Sequence, residues 1–159
     1  MINKKEVDVP VLGQDYKFRL IKEEDLEDRI KSLFVDYRGT CNTFDKEIIV
    51  QDMTGTLQKA GNLLTTASSE DAQVRCEQII MNETARHELM HAFFKESGLA
   101  DEFESNNEVV VDWFAIQLPK IVRACCEVHA FTDDEMESFI KKYNIHDEEE
   151  KPKKDKKKH

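Results

Sequence analysis

The first twenty residues alternate apolar and polar positions in two short segments, a pattern typical of β-strands. Val7–Leu12 and Tyr16–Ile21 flank Gly13–Asp15, whose residues favour a tight turn. The pattern therefore predicts a β-hairpin. Pro10 has no backbone N–H to donate, so the first strand is expected at an edge of the sheet.

A charged segment and a second strand pair follow. Lys22–Leu33 places apolar residues at helical spacing, which predicts a short helix. Phe34–Thr40 and Thr43–Gln51 predict two further strands, the clearest of them at Glu47–Gln51. The segment 52–68 fits neither pattern clearly.

The second half of the chain has helical periodicity. Acidic residues after Ser69 mark the start of a long helix over about 70–96, and Gly98 suits its end. Glu108–Leu118 predicts a second helix, and Pro119 is expected to start or kink a further one through His129. Thr132 is expected to cap a last helix. Antiparallel strands followed by helices predict an α+β fold with segregated layers.

Length and charge indicate one acidic domain with a charged tail. The chain has 159 residues, which suits a single domain over 1–146 and a disordered Lys-rich tail over 147–159. The formal net charge is −10. Since the tail holds six lysines and five acidic residues, the body carries about −11. Such a body does not favour direct binding of nucleic acid through a basic surface.

Nothing in the sequence indicates export or a membrane span. No run of about eighteen apolar residues occurs, and the N-terminus lacks the apolar core of a signal peptide. The four cysteines show no C-x-x-C spacing. We therefore expect a cytoplasmic protein with free or buried thiols, in preference to disulfides or cysteine ligands to zinc.

Candidate chemistry is concentrated in His87-Glu88-Leu89-Met90-His91. On a helix, residues four apart share one face, so His87 and His91 can bind one metal ion. Glu88 lies about 100° around the helix from His87, near the metal but not aimed at it. This is the position expected of a general base for a zinc-bound water.

The flanks of this motif favour a packed helix over a solvated surface helix, which is the alternative. The apolar residues around the motif are Leu89, Met90, Phe93 and Phe94. They are expected to pack mostly into a core, because no charged residue falls between Glu88 and Phe94.

A third metal ligand is available on the next helix. Glu108 and Asp112 are four apart and therefore share a face, within an apolar run. Carboxylates in such surroundings are costly to bury unless they are paired or bind a metal. Glu108 would complete a His₂Glu set that leaves the fourth zinc position open, and Asp112 would accept the other ring N–H of a ligand histidine. Trp113 is expected in the core beneath this site.

These two motifs resemble the ImmA/IrrE family of small gluzincin metallopeptidases. The run Thr84–Phe93 is similar to the extended zinc-peptidase motif, and Glu108–Pro119 to the family's third-ligand helix. The resemblance covers about residues 34–122, with Met90 at a position where the family often has glycine. It implies a zincin-like domain in which an edge strand beside the active site binds substrate. Ile48–Gln51 is the candidate for that strand, the alternative being a strand that only covers the helix.

The resemblance also implies a function. Family members of this kind belong to phages and mobile elements, so we expect a zinc-dependent endopeptidase acting on a peptide or protein, such as a transcriptional repressor. Two alternatives remain: a catalytically silent zinc-stabilised binding module, and another zinc hydrolase. Manganese or iron could occupy the same donors. Tyr37, His129 and Tyr143 are candidates for the group that stabilises the oxyanion.

Overall fold

A four-stranded sheet and four helices form in the computed structural model, which describes residues 6–26, 31, 38–56, 69–102 and 108–143. The strands are β1 (Glu6–Val11), β2 (Gln14–Ile21), β3 (Gly39–Asn42) and β4 (Glu47–Gln51). The helices are α1 (Glu70–Glu96), α2 (Leu99–Glu102), α3 (Glu108–Glu127) and α4 (Asp133–Tyr143). The chain divides into two units, Met1–Leu118 and Pro119–His159. The α+β class is therefore confirmed.

The N-terminal hairpin forms as expected, but its turn is one residue earlier. Val11 pairs with Gln14, which leaves Leu12 and Gly13 as a two-residue loop. Both have positive φ, 46° and 88° respectively. A loop with positive φ at both positions matches the right-handed twist of a hairpin. Glycine adopts positive φ most easily, and it occupies only the second of the two positions.

The sheet is mixed, so the prediction of antiparallel strands is correct only in part. The strand order is β1-β2-β4-β3. β4 pairs in parallel with β2 and antiparallel with β3. Parallel pairing requires the chain to return to the starting end of the sheet. The connection between β2 and β4, residues 22–46, does so through β3, which runs antiparallel to β4. Within the described residues, β1 and β3 are the edge strands, which confirms the edge position of Pro10.

This order corrects the prediction that Ile48–Gln51 is the edge strand beside the site. β4 lies inside the sheet with a partner on each side, and Ile48, Ile49 and Val50 are buried. A continuous apolar run is typical of a strand covered on both faces, which fits the alternative that β4 covers a helix. Both edge strands contact α1, and β3 is the one that approaches Glu88, through Gly39.

The segments between these elements are only partly described. A 3₁₀ turn covers Glu23–Asp25 within the predicted helix Lys22–Leu33, half of which lies outside the described residues. The predicted strand residues 34–37 and the ambiguous segment 57–68 also lie outside them.

Helix α1 has the predicted bounds. The Ser69 hydroxyl accepts a hydrogen bond from the Ala72 amide and caps the first turn, where Glu70 and Asp71 also suit the helix dipole. At the other end Gly98 adopts a φ of 77°, the left-handed conformation that ends helices.

The core lies between α1 and the sheet. Its buried residues are Val11, Tyr16, Phe18, Ile48, Val50, Ala85 and Ala92. On α1 the buried residues recur at three- and four-residue spacing: Glu77, Met81, Ala85, Glu88 and Ala92. Two of these five are glutamates: Glu88 lies against Gly39 of β3, and Glu77 accepts a hydrogen bond from the Gly55 amide beyond β4.

Helix α3 continues through Pro119 to Glu127. Of the two expectations for this proline, a start or a kink, the new helix start is therefore wrong, and the helix ends before the expected His129. In the second unit, α4 begins with a capping box. The Thr132 hydroxyl accepts from the Glu135 amide, and the Glu135 carboxylate accepts from the amide and hydroxyl of Thr132. The predicted cap is thereby confirmed. In the part of the chain that the structure describes, no helix is long and apolar enough to cross a membrane.

Candidate metal centre

Two helices bring three possible metal ligands together. His87 and His91 lie one turn apart on α1, with their Nε2 atoms 3.0 Å from each other. Glu108 is the first residue of α3. Its Oε2 atom lies 3.2 Å from His87 Nε2 and 3.6 Å from His91 Nε2. These residues form the one group of potential ligands found within the described ranges.

The spacing of these atoms fits a single tetrahedral metal ion. With metal–ligand bonds of about 2.0–2.1 Å, two ligand atoms of a tetrahedron lie about 3.3–3.4 Å apart. The three observed separations, 3.0, 3.2 and 3.6 Å, scatter around that value. The donor set of two imidazoles and one carboxylate is also one that zinc uses. The three residues could therefore hold a metal ion.

Asp112 determines which nitrogen of His87 faces this centre. Its Oδ1 atom lies 2.9 Å from His87 Nδ1. A carboxylate can only accept, so Nδ1 carries the proton and a neutral His87 has its lone pair on Nε2. The Nε2 lone pair of His87 and the Oε2 atom of Glu108 therefore face one another. Both are acceptors, and a cation bound between them would interact favourably with both.

His91 is also suited to bind as a neutral ligand. Burial lowers the pKa of His91, and the neighbouring His87 acts in the same direction, although Glu108 and Asp112 oppose the shift. Metal ligands must be deprotonated, so a lowered pKa removes a competing proton.

The acidic pair on α3 is more exposed than expected. The side chains of Glu108 and Asp112 are 51% and 62% exposed. The expectation that an apolar run buries them is therefore wrong, because Val111 and Ala115 are the buried residues of α3. Glu108 is a candidate ligand because its carboxylate lies close to both histidines, and not because its charge is buried.

Glu88 is buried beside the centre and directed at the sheet. Its exposed fraction is 6%. Burial raises the pKa of Glu88 to about 8, with a further contribution from the Glu108 carboxylate. A carboxyl group with a pKa near neutrality can accept and release a proton under ordinary conditions, as a general base requires. A bound divalent cation would move this pKa downward.

Strand β3 passes directly over Glu88 at Gly39. A Cβ atom at Gly39 would lie 2.7 Å from Glu88 Oε1 and 2.7 Å from Thr84 Cγ2. Only glycine leaves room for this approach. A single glycine in a strand pattern can mark such a contact, so the sequence contained a signal for Gly39 that the motif analysis did not use.

A cavity of about 330 Å³ opens at this place. Residues around it include Arg38, Gly39, Thr84, His87, Glu88 and Asp112. Arg38 contributes a guanidinium group whose Nη1 donates to Met53 Sδ at 3.3 Å. The sequence did not single out Arg38, because its place in the cavity depends on the path of the strand that follows it.

The structure bears on the remaining predicted residues to different extents. Tyr37 and the side chain of Tyr143 lie outside the described residues, and His129 belongs to the second unit. Trp113 is 53% exposed, so its predicted place in the core is wrong. Phe93, 36% exposed, is not a core residue either. The four cysteines are free thiols, as expected.

Comparisons with models of protein families, with curated proteins and with solved structures gave no match for this chain. The resemblance to the ImmA/IrrE family therefore depends on the two sequence motifs alone.

Proposed function

We propose that this chain is a zinc-dependent endopeptidase in which His87, His91 and Glu108 hold the metal and Glu88 is the general base. The observation that carries the proposal is the convergence of three ligand atoms at 3.0–3.6 Å beside a buried glutamate. A structural zinc site is closed by four protein ligands. In the proposed site, His87, His91 and Glu108 hold three positions of a tetrahedral zinc ion and the fourth is taken by water.

Held by these residues, zinc would supply the Lewis acidity that makes water nucleophilic near neutral pH and polarises a peptide carbonyl. Glu88 accepts a proton from the attacking water as the new C–O bond forms. It then delivers that proton to the amide nitrogen as the C–N bond breaks. Asp112 holds the His87 ring in the tautomer that keeps Nε2 free for the metal.

The edge position of β3 favours an extended peptide as substrate. Within the described residues this strand has a partner on one side only, and Gly39 brings it against Glu88. A peptide that added a strand at β3 would be held by main-chain hydrogen bonds close to the base. By the family resemblance, the substrate is a regulatory protein such as a transcriptional repressor.

The first test is metal content by mass spectrometry, with cleavage of an internally quenched peptide library as the second readout. We expect about one zinc per chain in the wild type and in Glu88→Gln, and loss of zinc in Glu108→Ala. Glu88→Gln should cleave about 10²- to 10⁴-fold more slowly. Glu127→Gln, an exposed acid further along α3, is the matched control and should behave as the wild type.

The same test separates the alternatives. Zinc binding without cleavage by the wild type would favour the silent binding module. A wild type that takes up no zinc when folded would refute the metal centre. Cleavage that is unchanged in Glu88→Gln would remove Glu88 from its role.

A further inference from the structure

Helix α3 contains an interior proline, and the backbone carbonyl that this proline leaves without a helical hydrogen bond lies beside the metal centre. In an α-helix the carbonyl of residue 115 accepts a hydrogen bond from the amide of residue 119. Residue 119 is proline, which has no amide hydrogen to donate. The helix nevertheless continues to Glu127. The carbonyl of Ala115 thus loses its ordinary helical partner in a residue that is 1% exposed.

A side chain from α1 supplies a replacement donor. Arg86 Nε donates to the Ala115 carbonyl oxygen at 2.5 Å. Arg86 directly precedes His87 in the sequence. Buried backbone carbonyls are nearly always paired, and a charged donor makes a stronger bond than a neutral one. The bond therefore joins the two helices that carry the metal ligands.

The placement of this bond along α3 matters for the centre. Glu108, Asp112 and Ala115 are spaced by four and three residues, so they lie along one face of the helix. Asp112 contacts His87 and Ala115 contacts Arg86, which are neighbours on α1. A shift of α3 along its axis or a rotation about it would break the Arg86 bond and move the Glu108 oxygen away from both histidines.

We propose that Arg86 is a positioning residue for the metal centre. By donating to the carbonyl that Pro119 leaves without a helical partner, it fixes the height and rotation of α3 against α1. Glu108 and Asp112 are thereby held at bonding distance from the histidines. The inference rests on the metal centre of the proposed function but needs no catalysis.

The proline offers a direct test by a double-mutant cycle of Arg86→Ala and Pro119→Ala. An alanine at 119 restores the helical amide donor, so the Ala115 carbonyl no longer depends on Arg86. Cobalt is the probe, since its visible absorption reports coordination geometry and a titration gives its affinity. Thermal unfolding of the metal-free protein is measured for each variant.

Arg86→Ala in the natural Pro119 background should weaken cobalt binding roughly 10- to 100-fold, because a buried acceptor loses its partner. The absorption spectrum of its cobalt-saturated form should change. In the Pro119→Ala background the same substitution should weaken binding by less than about 3-fold. Arg86→Gln retains a neutral N–H donor and should fall between these values. Arg75→Ala, an exposed arginine on the same helix, is the control and should bind as the wild type.

Two results would overturn the proposal. An equal loss of cobalt affinity in both backgrounds would mean that Arg86 acts through its charge and not through the Ala115 carbonyl. A lower unfolding temperature with unchanged affinity and spectrum would mean that the bond only stabilises the fold. If Arg86→Ala does not fold, cobalt affinity is measured instead for Arg86→Gln with and without Pro119→Ala. The same two results would overturn the proposal.

The outcome is separable from that of the peptidase proposal. A wild type that binds cobalt with the expected coupling, but cleaves no peptide, would support Arg86 as the positioning residue and refute the peptidase. A wild type that cleaves peptide, but shows no coupling between Arg86 and Pro119, would support the peptidase and refute Arg86 as the positioning residue.

Discussion

A single methyl group at Gly39 tests whether Glu88 must occupy its present position. The added Cβ would lie 2.7 Å from Glu88 Oε1 and 2.7 Å from Thr84 Cγ2, where ordinary contact begins at 3.4 Å. Each separation is therefore short by about 0.7 Å. Thr84 is branched at Cβ and stiff on its helix, whereas Glu88 has rotatable bonds. We expect Glu88 to give way in Gly39→Ala.

The size of the effect follows from this displacement. A catalytic group moved by about 1 Å costs on the order of 10² in rate. Overpacking a tight contact costs about 1–3 kcal/mol of stability, and each kcal/mol lowers the melting temperature by roughly 2–4 °C in a chain of this size. The three atoms nearest the added Cβ belong to Glu88 and Thr84, neither of which is a proposed ligand, so zinc content should stay at one per chain.

The assay combines peptide cleavage, zinc content and thermal unfolding. Gly13→Ala is the matched control, because φ at Gly13 is 88° and a Cβ there would meet nothing within 4 Å. Its strain should cost a similar ~1–2 kcal/mol without changing turnover. Full activity in a folded, zinc-loaded Gly39→Ala protein would refute the reasoning. Loss of zinc would also count against it, since the methyl group would then act on more than the base.

Two further outcomes are expected from the described contacts. Asp112→Ala removes the partner of His87 Nδ1 and should weaken zinc binding about 10- to 100-fold. Asp112→Asn retains an acceptor and should weaken zinc binding less. Competition with a chromophoric chelator measures both affinities. The pKa of Glu96 is lowered, first by its hydrogen bond to Lys46 and then by that to Tyr16. Its contribution to stability is therefore present above the ordinary pKa of 4.5 and lost as the pH falls through the lowered value. Glu96→Gln should flatten the fall of melting temperature in acid, and an unchanged slope would show that other groups cause it.

Local sequence patterns were enough for the elements that depend on neighbouring residues. The bounds of α1 followed from Ser69 with the acidic residues after it and from Gly98, which act within one turn of the two helix ends. The capping box at Thr132 is equally local. For the same reason, the shared face of His87 and His91 could be predicted from their spacing alone.

Patterns failed where a residue depends on distant parts of the chain. The family resemblance suggested Ile48–Gln51 as the edge strand beside the site, with a strand that only covers the helix as the alternative. The sheet order places β4 inside and β1 and β3 at the described edges, because strand order depends on pairing between distant parts of the chain. Trp113 was assigned to the core by its hydrophobicity. The buried face of α3 is instead the one with Val111 and Ala115. Glu108 lies one turn before Val111 on this side, so the same orientation of the helix brings Glu108 to the histidines.

The sequence by itself determined the donor types, their helical spacing and the helices that carry them, since these follow from side-chain chemistry and a fixed rise and rotation per residue. Only the tertiary structure decided that Glu108 meets His87 and His91, that Gly39 lies against Glu88, and that Arg86 bonds the carbonyl opposite Pro119. These contacts join elements far apart in the chain. Their distances are set by how whole helices and strands pack, which no local pattern specifies.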